Sequence, residues 1–122
     1  MKRIILLAGM ACYALVAFPQ QSAPEPDSAY FVVLYTIGEG WDTTKGAMDQ
    51  PYFKEHAAHL QELRKANLIT IGARYSRTGM IILRAGDEEE ARALITDDIA
   101  IRNKLFNVEI FALDPFYPGC VE

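Results

Sequence analysis

AYFVVLYTI, residues 29–37, decides the fold. Its β-branched and aromatic side chains are those of a strand, and Gly38 ends it. Successive side chains of a strand point to opposite faces, so Val33, Tyr35 and Ile37 share one side and Val32, Leu34 and Thr36 the other. Both sides are apolar along most of the strand. One layer of helices buries only one of them. The second apolar face calls for a cover of its own.

Downstream, residues 39–46 form a polar loop that holds Trp41, the one tryptophan in the chain. A helix follows from about Pro51 to Ala66, with Asp49 or Gln50 as its cap and Pro51 in its first turn. At about 100° per residue, Phe53, Ala57, Leu60, Leu63 and Ala66 make one apolar arc. His56 lies near the middle of that arc and His59 near its edge, so both imidazoles point toward the core. Asn67 stands where a left-handed cap belongs, and asparagine tolerates that shape best after glycine.

Leu68 to Tyr75 reads as a second strand and Met80 to Ala85 as a third. Ser76-Arg77-Thr78-Gly79 between them is a tight turn, with Gly79 expected at positive φ. Gly86 breaks the third strand. Asp87-Glu88-Glu89-Glu90 then opens a helix, with Asp87 as N-cap and Glu90 as its partner three residues on. The acids also suit the positive end of the helix dipole. Ala91, Leu94 and Ile95 make the buried face of this helix, and residues 97–101 turn into a short helical piece. Phe106 to Leu113 is the last strand, closed off by Pro115 and Pro118. The order β-α-β-β-α-β is that of an α+β, ferredoxin-like domain: a four-stranded antiparallel sheet with its helices on one face. The uncovered apolar face implies a homodimer packed sheet to sheet.

The first residues read differently. Met1-Lys2-Arg3 is basic, Ile4 to Phe18 is apolar and uncharged, and residues 19–27 are polar and rich in proline. That layout is a secretory signal peptide over residues 1–23 with a linker at 24–28. The apolar run is shorter than the roughly 20 residues of a spanning helix, so a periplasmic or secreted protein, without stable membrane insertion after processing, is expected. Loss of Lys2 and Arg3 leaves 10 basic against 16 acidic residues, a net charge of −6. An acidic domain without a basic stripe is a poor nucleic-acid binder. Cys120 is then the only cysteine left, so the core must hold without an internal disulfide.

Several residues are candidates for chemistry. His56 and His59 are three apart, a spacing that permits shared metal coordination, but no cysteine cluster or third histidine completes a zinc set. No serine elbow or Gly-rich phosphate loop is present, and no cofactor is expected. Arg74 can receive a carboxylate or simply face solvent at a strand end. Trp41 caps a pocket or pins its loop, and Tyr35 lines a pocket or fills the core.

Tyr30-Phe31-Val32-Val33-Leu34, Gly40-Trp41-Asp42, the spacing Gln50, Phe53, His56, Leu60, Leu63, and Leu68-Ile69-x-Ile71-Gly72 together resemble the YCII-related (YciI-like) family. Glu89-Glu90-Ala91, Leu94, Asp98, Ala100, Phe106 and Glu109 continue the resemblance, which covers roughly residues 29–113. It implies a domain over residues 29–114, a tail over 115–122, and a dimeric α+β barrel. It also implies an active site in which a histidine on the first helix pairs with an aspartate after the second. By position these are His56 and Asp98, with Asp97 as the alternative acid and His59 as the second histidine. The chain departs from the pattern at Ile99, where a proline is usual, at Ala73-Arg74, where a glycine-proline pair is usual, and at Lys104, where a glycine is usual.

A carboxylate bonded to one imidazole nitrogen fixes the tautomer and raises the basicity of the other. The resulting expectation is a dimeric enzyme doing isomerase, lyase or dehalogenase chemistry on a small organic acid or lactone. The substrate would be held by Arg74, Tyr35, Trp41 and His59. The alternative is a non-catalytic small-ligand-binding or accessory dimer.

Overall fold

The computed structural model describes residues 28–119. The expected signal peptide, most of the linker and Cys120 lie outside the described residues. The elements run β1 (Ala29–Ile37), a short 3-10 helix (Ala47–Asp49), α1 (Phe53–Lys65), β2 (Ile69–Tyr75), β3 (Thr78–Ala85), α2 (Glu88–Thr96), α3 (Ile99–Arg102) and β4 (Phe106–Leu113). The four strands form one antiparallel sheet in the order β2-β3-β1-β4. This is the expected ferredoxin-like arrangement.

The strand most apolar on both faces, β1, lies inside the sheet between β3 and β4. Register sorts the two faces. Phe31 pairs with Leu83, and Val33 with both Ile81 and Ile110; all are buried beneath the helices. Leu63 of α1 and Ala91 and Ile95 of α2 close that core. Tyr30, Val32, Leu34, Met80 and Ile82 face the other way and are half-buried. Phe111, opposite Val32 on the same side, is 50% exposed. Beyond β4, Pro115, Tyr117, Pro118 and Gly119 bound a cavity of about 550 Å³ with Tyr30, Ile71, Met80 and Ile82. The chain itself therefore covers part of its second apolar face. Among the described residues no helix is long and apolar enough to cross a membrane.

Two local expectations are corrected. The β2–β3 turn is confined to Ser76-Arg77, and the positive φ falls on Ser76 (φ 52), not on Gly79, which lies within β3. A two-residue hairpin connection places the left-handed backbone at a central residue of the turn, and pairing of Tyr75 with Thr78 puts Gly79 beyond it. The start of α1 also differs. Neither Asp49 nor Gln50 caps it; the N-cap is Tyr52 in a left-handed conformation (φ 66), without a side-chain cap bond. Gln50 is 5% exposed and is used elsewhere. Its Oε1 accepts from the Asp42 amide at 2.9 Å, and its Nε2 donates to the carbonyls of Asp42 and Lys45 at 2.6 and 3.2 Å. It pins the loop that carries Trp41.

Asn67 (φ 59) and Asp87 take their expected roles, the latter accepting from the Glu90 amide at 2.8 Å. Lys104 stands at φ 57, the left-handed conformation that glycine adopts without strain. Its carbonyl receives the Gly40 amide at 2.9 Å, and a Cβ on Gly38 would lie 2.1 Å from it. The two glycines bring the Trp41 loop against the backbone that leads into β4.

Candidate active site

Asp98 occupies the break between α2 and α3. It is the N-cap of α3, extended at φ −72 and ψ 120, and its Oδ1 accepts from the Ala100 amide at 2.9 Å. That bond satisfies one orphan donor of the helix start and fixes the carboxylate plane. Ile99 is the first residue of α3, where a backbone N–H has no helical partner in any case. Isoleucine at this position thus removes nothing that Asp98 needs.

The second carboxylate oxygen, Oδ2, accepts from His56 Nδ1 at 2.5 Å across 42 residues of chain. The expected pair is therefore brought together, and the choice between the adjacent acids is settled: Asp98 is 2% exposed, whereas Asp97 faces solvent. A carboxylate accepts and does not donate, so Nδ1 carries the imidazole proton and Nε2 of the neutral ring is the lone-pair nitrogen. Among the described residues Nε2 has no hydrogen-bond partner, and it is not among the fully buried polar atoms. His56 as a whole keeps 8% of its surface.

The imidazole sits in an aromatic box. The Phe106 ring is 4.7 Å away between centroids, Tyr35 5.4 Å and Phe53 6.2 Å. Trp41 packs on Phe106 at 5.7 Å and on Phe53 at 6.5 Å, so it closes the outside of the box without touching the histidine. Tyr35 points inward from β1 and is 6% exposed. Among the described residues its Oη is the one buried side-chain polar atom without a hydrogen-bond partner. Burial, and secondarily the charge of Asp98, push the hydroxyl well above its ordinary value of 10.0, which keeps it protonated.

His59 is drawn elsewhere. Its Nε2 donates to the Leu94 carbonyl at 2.8 Å, which ties α1 to α2 and leaves it outside the box. Arg74 lies in the cross-strand row Arg74–Gly79–Tyr35 and therefore projects on the helix side of the sheet. It is exposed and has no hydrogen-bond or ion-pair partner among the described residues. No group of three or more His, Cys, Asp or Glu among the described residues is placed to hold a metal ion. Phe53 and Phe106 were legible as apolar positions but not as walls of the site. Antiparallel pairing of β1 with β4, which sets Phe106 opposite Ile37, carries that information. No periodicity in the sequence marks Gln50.

The chain matches no family model, no curated protein and no solved structure.

Proposed function

We propose that this protein is an acid–base enzyme acting on a small organic acid or lactone, with His56 as the group that moves the proton and Asp98 as its orienting partner. The observation that carries this reading is the 2.5 Å bond from His56 Nδ1 to an aspartate whose other oxygen is held by the Ala100 amide. A preset carboxylate keeps Nε2 as the basic nitrogen and stabilises the imidazolium that forms when it takes a proton. The walls of Tyr35, Phe53 and Phe106 restrict water around it, which strengthens every charge interaction inside.

The resemblance of residues 29–113 to the YCII-related family supports the same pair, and the apolar second face of the sheet supports a homodimer. The basic, apolar, then polar order of residues 1–27 supports export. The closeness of the ring packing around His56 also favours a second reading, in which the box binds a small ligand without turnover. The test is a thermal-shift screen of the purified protein with small carboxylates and lactones, repeated with His56→Ala. Stabilisation by one chemical class that disappears in the variant is expected. Equal stabilisation of both proteins removes His56 from the site.

A further inference from the structure

A buried hydroxyl without a partner is an expensive thing to keep. Phenylalanine would fill the same space beside Phe106 without that penalty. Yet Tyr35 is 94% removed from solvent, its ring lies edge-on to His56 at 5.4 Å, and its Oη bonds to nothing among the described residues. The ring that carries the unpartnered hydroxyl of Tyr35 and the ring that carries the free nitrogen of His56 are thus neighbours. Beyond Tyr35, the next position in the cross-strand row is Gly79, which has no side chain; a Cβ there would meet Tyr35 Cβ at 3.6 Å, an ordinary contact. The row ends at the unpartnered cation of Arg74. A donor, a base, a bare stretch of sheet and a cation therefore follow one another along one end of the sheet.

We propose that the Tyr35 hydroxyl donates to the carbonyl oxygen of the substrate, and that the substrate is a carbonyl compound with an acidic C–H bond beside that carbonyl and a carboxylate held by Arg74. The inference rests on the acid–base reading of His56 and Asp98. In the step that follows, His56 Nε2 takes the proton from the carbon. The C–H electron pair becomes the new C=C bond, and the carbonyl π pair moves onto oxygen. Tyr35 hydrogen-bonds that oxyanion and keeps its own proton, as its raised pKa requires. The imidazolium then returns the proton to the same carbon, which exchanges hydrogen, or to the far end of a conjugated system, which isomerises the substrate. No further reactant is needed. A preorganised donor at the site of developing charge accounts for a large share of such a rate.

The test uses Tyr35→Phe, which removes one oxygen and leaves the ring in place. Two readouts are compared in wild type, Tyr35→Phe and His56→Ala: incorporation of deuterium from D2O into acetoacetate, 2-oxobutyrate and an unsaturated five-membered lactone, and absorbance titration with 4-nitrophenolate as an oxyanion probe. Loss of an unpartnered hydroxyl leaves the melting temperature of Tyr35→Phe no lower than that of wild type. Its exchange rate is expected to fall by roughly 10²–10³-fold, the effect of removing one oxyanion donor, and its affinity for 4-nitrophenolate to fall with it. Arg74→Gln is expected to raise KM for the two acids and leave the lactone unchanged. Exchange and probe binding by Tyr35→Phe within about twofold of an active wild type overturn the proposal and leave the His56–Asp98 reading standing. Tyrosine-dependent probe binding without exchange by the wild type overturns the acid–base chemistry and leaves Tyr35 as an oxygen donor. Absence of both overturns both.

Discussion

Replacing Asp98 with asparagine keeps the shape of the side chain and exchanges one acceptor oxygen for an NH2 group. Two acceptor bonds meet at this carboxylate, from His56 Nδ1 at 2.5 Å and the Ala100 amide at 2.9 Å, and the residue is 2% exposed. If the remaining oxygen serves His56, the new NH2 faces the Ala100 N–H, donor against donor, and the helix cap is lost at about 1 kcal/mol plus that repulsion. If the oxygen serves Ala100, the NH2 faces Nδ1, and the imidazole must move its proton to Nε2. The second arrangement is cheaper. It exchanges a bond to a charged group, about 1.5–3 kcal/mol, for a neutral one of about 0.5–1.5 kcal/mol. Relief from burying a charge offsets part of this loss, so a net cost of about 1 kcal/mol is expected. Asp98→Ala leaves both donors without an acceptor, each at about 1–3 kcal/mol, and must cost more. Function follows the opposite logic: asparagine preserves the fold but removes the basic Nε2, so proton transfer falls by about 10²–10⁴-fold. Urea unfolding measures the first effect and deuterium incorporation into an active carbonyl probe the second. Equal destabilisation by asparagine and alanine, or an asparagine variant with undiminished exchange, would refute the reasoning.

Other predictions concern the surroundings of the pair. His59→Ala removes the α1–α2 link to the Leu94 carbonyl and is expected to lower stability by about 1 kcal/mol while leaving exchange and probe binding unchanged. In Gly38→Ala the Cβ would meet the Lys104 carbonyl at 2.1 Å, so backbone must shift; thermal unfolding should register a loss of about 1–3 kcal/mol or more, with a change in Trp41 fluorescence. Tyr35 titrates in the unfolded chain near 10.0 and well above that in the folded one. The unfolded state therefore releases its proton first. The stability that Tyr35 contributes is fully present below pH 10 and is lost as pH rises above it, by up to about 1.4 kcal/mol per pH unit. Urea unfolding of Tyr35→Phe across that range should lack this component of the slope. Phe111→Asp places a charge on the open sheet face, at a side chain already 50% exposed. Under the proposed sheet-to-sheet pairing, sedimentation should record a dimer for wild type and a folded monomer for the variant, and an unchanged sedimentation coefficient would count against pairing through this face.

The element order was legible because each segment carries its own period. The largely apolar run of residues 29–37, the helical arc of Phe53, His56, Leu60 and Leu63 and the Asp87 cap each act over a few residues, and each is where the pattern puts it, although Ala57, expected on the same arc, is exposed. His56 was legible as an inward-facing residue for the same reason. Its partner was narrower than a periodic signal can resolve: Asp97 and Asp98 differ by one step around a helix end, and only the cap geometry of α3 turns one inward. The misread turn at Gly79 and the misread cap at Gln50 share a cause. Glycine and polar residues before a helix are strong local signals, but cross-strand pairing moved the turn to Ser76, and the Trp41 loop claimed the glutamine. The free hydroxyl of Tyr35 was invisible in the sequence, since it depends on what other segments, the His56 helix and the Phe106 strand among them, place around the ring.

The most direct measurement is the nitrogen NMR spectrum of the His56 ring at mildly alkaline pH, in protein with labelled histidine. The account requires a protonated Nδ1 with a far-downfield proton, an unprotonated Nε2, and a switch of the proton to Nε2 in Asp98→Asn. A wild-type ring already protonated at Nε2, or one averaging freely between tautomers as an exposed histidine does, would contradict it.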